Sequence, residues 1–237
     1  MSEIYLIRHA QASFGSDNYD RLSPLGLRQA DLLARFLDRH GVRFDAVYSG
    51  AMQRQVDTAK PIHSRQNRGL SPKVGSEIVP AFNEYDSLAL IKARFRREKV
   101  QAKAKDHLLA DLRQNVRAFQ AFFSDTVNQW MAGVYDDEAD IEPWARFCER
   151  IKAGLAQVMG RERRGKRLAV VTSGGPIAAV LKIALDLSDR RTATLSWEIL
   201  NASITCLKYS ADRLTLTVFN NTTHFLVTGD ASLLTHR

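Results

Sequence analysis

Three observations predict an α/β fold, a three-layer α/β/α sandwich whose sheet is mostly parallel with an antiparallel strand. Short apolar runs alternate with segments of helical periodicity, which is the pattern of repeated β-α-β crossovers. The first and fourth runs, Ile4-Tyr5-Leu6-Ile7 and Leu168 to Val171, are continuously apolar, as strands covered on both faces must be. The last two runs, about Ser203 to Tyr209 and Leu214 to Phe219, are joined by Ser210-Ala211-Asp212-Arg213, a hairpin signal.

Each element has its own local cause. Ile4 to Ile7 is too short for a lone helix and ends in Arg8-His9, so it reads as a strand with both groups at its carboxyl end. Ser23 is placed to cap a helix that Pro24 opens, and Ala30, Leu33, Ala34 and Leu37 keep one face apolar until Gly41. Phe44 to Tyr48 is a second strand; Ser49-Gly50-Ala51 turns the chain into a helix through about Ser64 that carries Arg54. Residues 65 to 75 form a polar loop, and Glu77 to Pro80 a third strand leading to Glu84 and Asp86. Leu108, Leu112, Val116, Phe119, Phe123, Val127 and Trp130 recur at helical spacing up to Gly133. An acidic loop, Asp136 to Glu142, precedes another helix with Trp144, Phe147, Ile151, Leu155 and Val158 on one face. These aromatic stripes are core, not a cofactor box. After the fourth strand, Thr172-Ser173-Gly174-Gly175 is a tight turn and Pro176 opens a helix.

Composition narrows the class. The chain has 237 residues, 45% hydrophobic and 25% charged, enough for one large domain with an insertion. Cys148 and Cys206 have no metal-type spacing, so neither a disulfide framework nor a zinc site is expected, and a reducing cytoplasmic setting fits. No apolar run is long enough to span a bilayer, and the first strand begins too early to leave room for a signal peptide. The net charge of +8 is uneven: Lys92, Arg94, Arg96, Arg97, Lys99, Lys103 and Lys105 face only Glu98 between positions 92 and 105. Such a run is most often a solvated helical face, and with Phe95 as its single aromatic residue it makes a poor nucleic-acid platform.

The chemistry gathers at strand ends. Arg8-His9 follows the first strand, Arg54 the second and Ser173-Gly174-Gly175 the fourth, and in a parallel sheet these exits share one side. Two guanidinium forks and backbone N–H groups at a helix start make an anion site with an imidazole in it. A neutral histidine in line with a phosphoryl group can attack it, and a carboxyl group such as Glu84 can protonate the leaving oxygen. Asp86 is the competing carboxyl; His224 reads as a structural hydrogen-bonding residue.

Taken together, Leu6-Ile7-Arg8-His9-Ala10, the run from Ser49 through Arg54 to Thr58-Ala59, and Glu84 resemble the histidine phosphatase superfamily, the phosphoglycerate mutase-like fold. Leu22-Ser23-Pro24-Leu25-Gly26 and the segments Asn201-Ala202-Ser203 and Asn220 to Phe225 extend the likeness to most of the chain outside about 87–142. The resemblance implies one domain over 1–237 with that interval as a helical cap insertion. It also implies a phosphatase using a phosphohistidine, without metal or other cofactor, on a small phosphorylated substrate. By that resemblance His9 would be the nucleophile, Glu84 the general acid, and Arg8 and Arg54 phosphate ligands, and the turn after the fourth strand adds Ser173 and Gly174 as phosphate contacts on its own reading. Two departures stand out: Ala10 replaces the family's glycine, and Ser173 stands where a second histidine is usual. A neutral hydroxyl in place of an imidazolium predicts slow turnover, about a hundred- to a thousandfold for one lost donor, unless the basic stretch 92–105 supplies the charge. A phosphoryl-ligand binding or regulatory protein is the alternative. A mutase is disfavoured because the family's Asn- and Trp-containing run after the histidine is absent from Gln11 to Asp20.

Overall fold

A computed structural model describes residues 1–13, 20–67, 74–100, 115–161, 165–210 and 213–236. Six strands form one sheet in the order β3-β2-β4-β1-β5-β6: β1 (Ser2–Arg8), β2 (Ala46–Ser49), β3 (Gly75–Ile78), β4 (Arg167–Thr172), β5 (Ile204–Tyr209) and β6 (Leu214–Asn221). The pairs β2/β3, β2/β4 and β1/β4 are parallel, while β5 runs against both β1 and β6. β5 is thus the one strand opposed to the other five, as expected of a hairpin appended to crossover units.

Side-chain alternation along the central strands builds three layers. Ile4, Leu6, Leu168 and Val170 join one core cluster, and Ile7, Ala169 and Val171 the other. The second cluster is covered by α1 (Pro24–Arg39) and α2 (Gln53–Gln66). The first is covered by α3 (Ser87–Arg97), α4 (Val116–Met131), α5 (Trp144–Arg161) and α6 (Gly174–Leu185). Two further helices, α7 (Asp189–Glu198) and the short α8 (Thr223–Leu226), complete the elements used below.

The predicted signals act where they were placed. Ser23 Oγ accepts from Gly26 N at 2.9 Å, and Pro24 supplies the fixed φ of the first turn of α1. Boundaries move where tertiary pairing decides them. β2 begins at Ala46 because Phe44 N donates to the Gln66 side chain, not to a strand. β3 ends at Ile78, since Pro80 opens a 3₁₀ turn over Pro80–Phe82. The helix expected from Leu108 is described from Val116 onward; Leu108 and Leu112 lie outside the described residues. Trp130, Trp144 and Phe147 pack ring on ring at centroid separations of 5.1 to 5.5 Å, confirming a core role for that stripe. Truncating wholly buried Trp130 to alanine would cost about 3–5 kcal/mol.

The arginines of the basic run are ion-paired. Arg94 pairs with Glu98 and Asp125, Arg96 with Glu138 and Asp140, and Arg97 with Asp137. Arg96 and Arg97 thus meet the acidic loop after α4, while Arg94 meets Glu98 and Asp125, so each of the three arginines already has carboxylate partners, as a solvated, ion-paired helical face does. Lys103 and Lys105 lie outside the described residues. His224 is a structural residue, as its sequence reading had it. It is buried beside Phe36 and Phe225, with the Ala202 backbone as the polar group that its ring meets.

Candidate active site

The site lies across the carboxyl ends of β3, β2, β4 and β1, which are adjacent in the sheet. His9 leaves β1 with its backbone fixed on both sides. His9 N donates to Thr172 O at 2.7 Å, and His9 O accepts from Ala202 N at 3.2 Å and Asn201 Nδ2 at 3.1 Å. Ala10 N donates to Thr58 Oγ1 at 3.0 Å, which in turn donates to Arg54 O at 2.7 Å. The Thr58 of the second sequence signature thus ties the loop after His9 to the helix that carries Arg54.

The His9 ring is buried, and its contacts fix its tautomer. Nδ1 lies 2.7 Å from Ala10 O, and a carbonyl can only accept, so Nδ1 carries the hydrogen. Nε2 lies 3.1 Å from Arg54 Nε, which can only donate, so Nε2 presents a lone pair. Burial, reinforced by the Arg54 and Arg8 guanidinium groups, holds the pKa of His9 well below the ordinary value of 6.5. The result is a neutral imidazole with its nucleophilic nitrogen turned toward a guanidinium.

Arg54 is itself oriented. Its Nη1 meets Asp20 Oδ1 at 2.6 Å, and the other Asp20 oxygen accepts from Gln53 N at 2.8 Å, at the start of α2. Asp20 gave no sequence signal, because its partner lies 34 residues away and only the fold joins them. Arg8 is anchored by backbone carbonyls: it donates to Ile199 O and, at 2.7 Å, to His236 O.

Glu84 sits opposite the start of α6. Its Oε2 accepts from Gly175 N at 3.0 Å and its Oε1 from Tyr85 N at 3.2 Å. Burial raises its pKa above 4.5, opposed by the Gly175 amide, Arg54, the Tyr85 amide and Arg8 in that order. Both arginines therefore act electrostatically on Glu84 and on His9, which brings the four predicted groups into one neighbourhood. Asp86 is instead the N-cap of α3, accepting from Leu88 N and Ala89 N at 3.0 and 2.9 Å, and is committed there.

The turn after β4 departs from the simple anion cradle read from its glycines. The N–H of Gly175 is taken by Glu84, and a Cβ on Gly175 would lie 2.1 Å from Glu84 Oε1. Gly174 packs against Arg8, a Cβ there reaching within 3.9 Å of its Nε. Ser173 is wholly buried, and its Oγ accepts from Gln55 Nε2 at 2.8 Å. Its hydroxyl thus meets a side chain that sequence reasoning passed over.

The loop holding Glu84 is gripped at three successive carbonyls. Phe82 O accepts from Thr172 Oγ1 at 2.6 Å and Gln55 Nε2 at 3.1 Å. Ala81 O and Asn83 O accept from Arg150 Nη1 at 2.7 and 3.1 Å, and Arg150 is held bidentately by Glu142 at 2.8 and 2.7 Å. Among the described residues, no group of histidine, cysteine or acidic side chains is arranged to hold a metal ion. No helix among them is long and apolar enough to cross a membrane. Burial pushes the Cys148 thiol up to about 12 and raises that of Cys206, so neither is a thiolate nucleophile. At the opposite end of the sheet, a cleft of about 380 Å³ is lined by Glu3, Asp45, Lys166 and Arg167. Those four are paired with one another at 2.7 and 2.8 Å.

Comparison with known proteins is consistent with this geometry. The family model described as histidine phosphatase superfamily (branch 1) matches residues 4–90 and 110–222. No curated protein matches. Among solved structures, phosphoglycerate mutase from Bacillus anthracis str. Sterne superposes with a TM-score of 0.66 at 17% identity, covering 97% of each chain. Bacillus stearothermophilus YhfR gives 0.65 at 15% identity, over 94% of this chain and 99% of that one. A mycobacterial glucosyl-3-phosphoglycerate phosphatase gives 0.57 at 20% identity, over 93% and 99%. At these identities the structures share a fold.

Proposed function

The chain belongs to the histidine phosphatase superfamily, and from that premise we propose that it hydrolyses a phosphomonoester through a phosphohistidine on His9. One observation carries this reading: the contacts of Nδ1 with Ala10 O and of Nε2 with Arg54 Nε hold His9 as the tautomer able to attack phosphorus. In the first step Nε2 forms a bond to phosphorus as the ester P–O bond breaks, and Glu84 gives its proton to the departing alkoxide. In the second, water attacks phosphorus, the P–N bond breaks, and the Glu84 carboxylate takes the water's proton, regenerating both groups. Arg54 and Arg8 offset the negative charge of the transferring group. Glu84 suits the acid role because burial keeps its proton on above the ordinary carboxyl range. The interval 87–142 is read as a cap over this site, and the substrate as a small phosphorylated molecule such as those named for its structural neighbours, phosphoserine among them.

Ser173 supports a contribution through Gln55 in preference to direct phosphate contact. It is buried and already hydrogen-bonded, and an imidazole in its place would have to displace the Gln55 amide. The test is turnover of 4-nitrophenyl phosphate by the parent, His9→Ala and Ser173→His. Turnover abolished by His9→Ala upholds the reading. Tight vanadate binding with no turnover in the parent would replace it with the phosphoryl-ligand binding alternative.

A further inference from the structure

Gln55 is wholly buried, immediately follows Arg54 on α2, and reaches two other parts of the site at once. Its Nε2 donates to Ser173 Oγ at 2.8 Å and to Phe82 O at 3.1 Å, while its Oε1 accepts from Met52 N at 3.3 Å. An amide nitrogen has two hydrogens, and both are used. The space around it is closed as well. A Cβ on Gly50 would lie 2.0 Å from Gln55 Oε1, so the turn between β2 and α2 has to carry glycine at 50 for the amide to fit. Phe82 O is the middle of the three gripped carbonyls, two residues before Glu84, and also accepts from Thr172 Oγ1 at the end of β4. Such a buried polar side chain with every hydrogen bond satisfied fixes relative positions sharply, because any shift leaves a desolvated donor unpaired.

We infer that Gln55 is a positioning residue that sets the place of the acid-bearing loop relative to the nucleophile. It ties Phe82, and through it Glu84, to the helix whose Arg54 holds His9 Nε2. The inference rests on the proposed phosphohistidine reaction. It also gives the serine at 173 a purpose: its hydroxyl is the second acceptor that stops the amide from turning away from Phe82. A misplaced acid slows esters that need their leaving oxygen protonated more than esters that do not. An alkyl ester such as 2-phenylethyl phosphate needs the proton, whereas 4-nitrophenyl phosphate leaves as a stabilised phenolate.

The experiment compares kcat and KM on these two esters for the parent, Gln55→Met, Thr172→Val and Glu84→Gln. Gln55→Met keeps length and removes both donors. Thr172→Val keeps shape and removes the other donor to Phe82 O, and so serves if the first variant fails to fold. The expected result is a loss of kcat about tenfold greater on the alkyl than on the aryl ester, with KM little changed, and the same sense of discrimination in Glu84→Gln. Gln55→Met combined with Glu84→Gln should lose little beyond Glu84→Gln alone. Equal losses on both esters, or additive losses in the double variant, would overturn the inference and leave the reaction standing. A parent inactive on both esters would overturn the reaction and the inference with it.

Discussion

Gly175→Ala isolates the acid from the fold. The added Cβ would lie 2.1 Å from Glu84 Oε1, 3.1 Å from its Cδ and 3.0 Å from Tyr85 Cε1. To reach the 3.4 Å of ordinary contact, Glu84 has to withdraw by more than 1 Å, and its bond to Gly175 N is lost with the movement. Displacing a catalytic group by that much costs on the order of a hundredfold in rate. Losing a hydrogen bond to the ionised form also raises the carboxyl pKa further. The backbone has no objection, because Gly175 is in the first turn of α6 and is absent from the residues with positive φ. Alanine there should if anything stabilise the helix, by up to about 1 kcal/mol. The expected variant therefore stays folded, with a melting temperature at or modestly below the parent's because the lost buried hydrogen bond outweighs the helix gain, yet is about a hundredfold slower on 2-phenylethyl phosphate, with the upper limb of its pH–rate profile displaced upward. Thermal melting and a pH–rate series measure both. Parental turnover and an unmoved pH profile in a folded Gly175→Ala would refute the placement of Glu84 in the reaction.

Four further outcomes are expected. If His9 acts neutral and Glu84 protonated, then with His9 held below its ordinary value and Glu84 raised above its own, kcat/KM on an alkyl ester should be bounded on its high-pH side by Glu84 and not by His9. It should fall about tenfold per unit as pH rises above the Glu84 pKa, and a high-pH limb that survives unchanged in Glu84→Gln would contradict the assignment. Asp20→Ala releases Arg54 from a charge-assisted bond and should lower kcat/KM by tenfold or more, with a matching loss of vanadate affinity. Replacing Arg96 and Arg97 by glutamine removes only exposed ion pairs and should leave KM and melting temperature unchanged; a large rise in KM would restore the basic run to the site. Burial lowers the His224 pKa to about 4, so the unfolded chain binds that proton first as pH falls from 6.5. Stability is lost over that window by up to about 3 kcal/mol. His224→Phe should flatten that part of the curve in denaturant titrations; an unchanged slope would show that the ring titrates normally.

What could be read from the chain depended on how local its cause was. Ser23 and Pro24 act within one turn, and the runs around Leu6 and Val170 carry their burial in their own composition, so both were evident. The meeting of Arg8, His9, Arg54 and Glu84 followed from one topological rule applied to parallel strand exits. Asp20, Gln55 and Arg150 were invisible by the same logic, since each is defined by a partner 34 to 118 residues away. The pairing of the basic run was not legible because its counter-charges, Asp137, Glu138 and Asp140, lie some 40 residues further on. Gly174-Gly175 was correctly placed beside the site, but which group would claim the Gly175 amide depended on where the Glu84 loop lands.

The bolting of His9 between Thr172 and the Asn201-Ala202 turn has a consequence for how the molecule spends its time. A free imidazole tumbles and must be caught in one orientation at every encounter. Here backbone and ring are both held, the ring by Ala10 O and Arg54 Nε, so on the proposed reaction each arriving ester would meet a partner whose direction of approach was settled when the strands assembled.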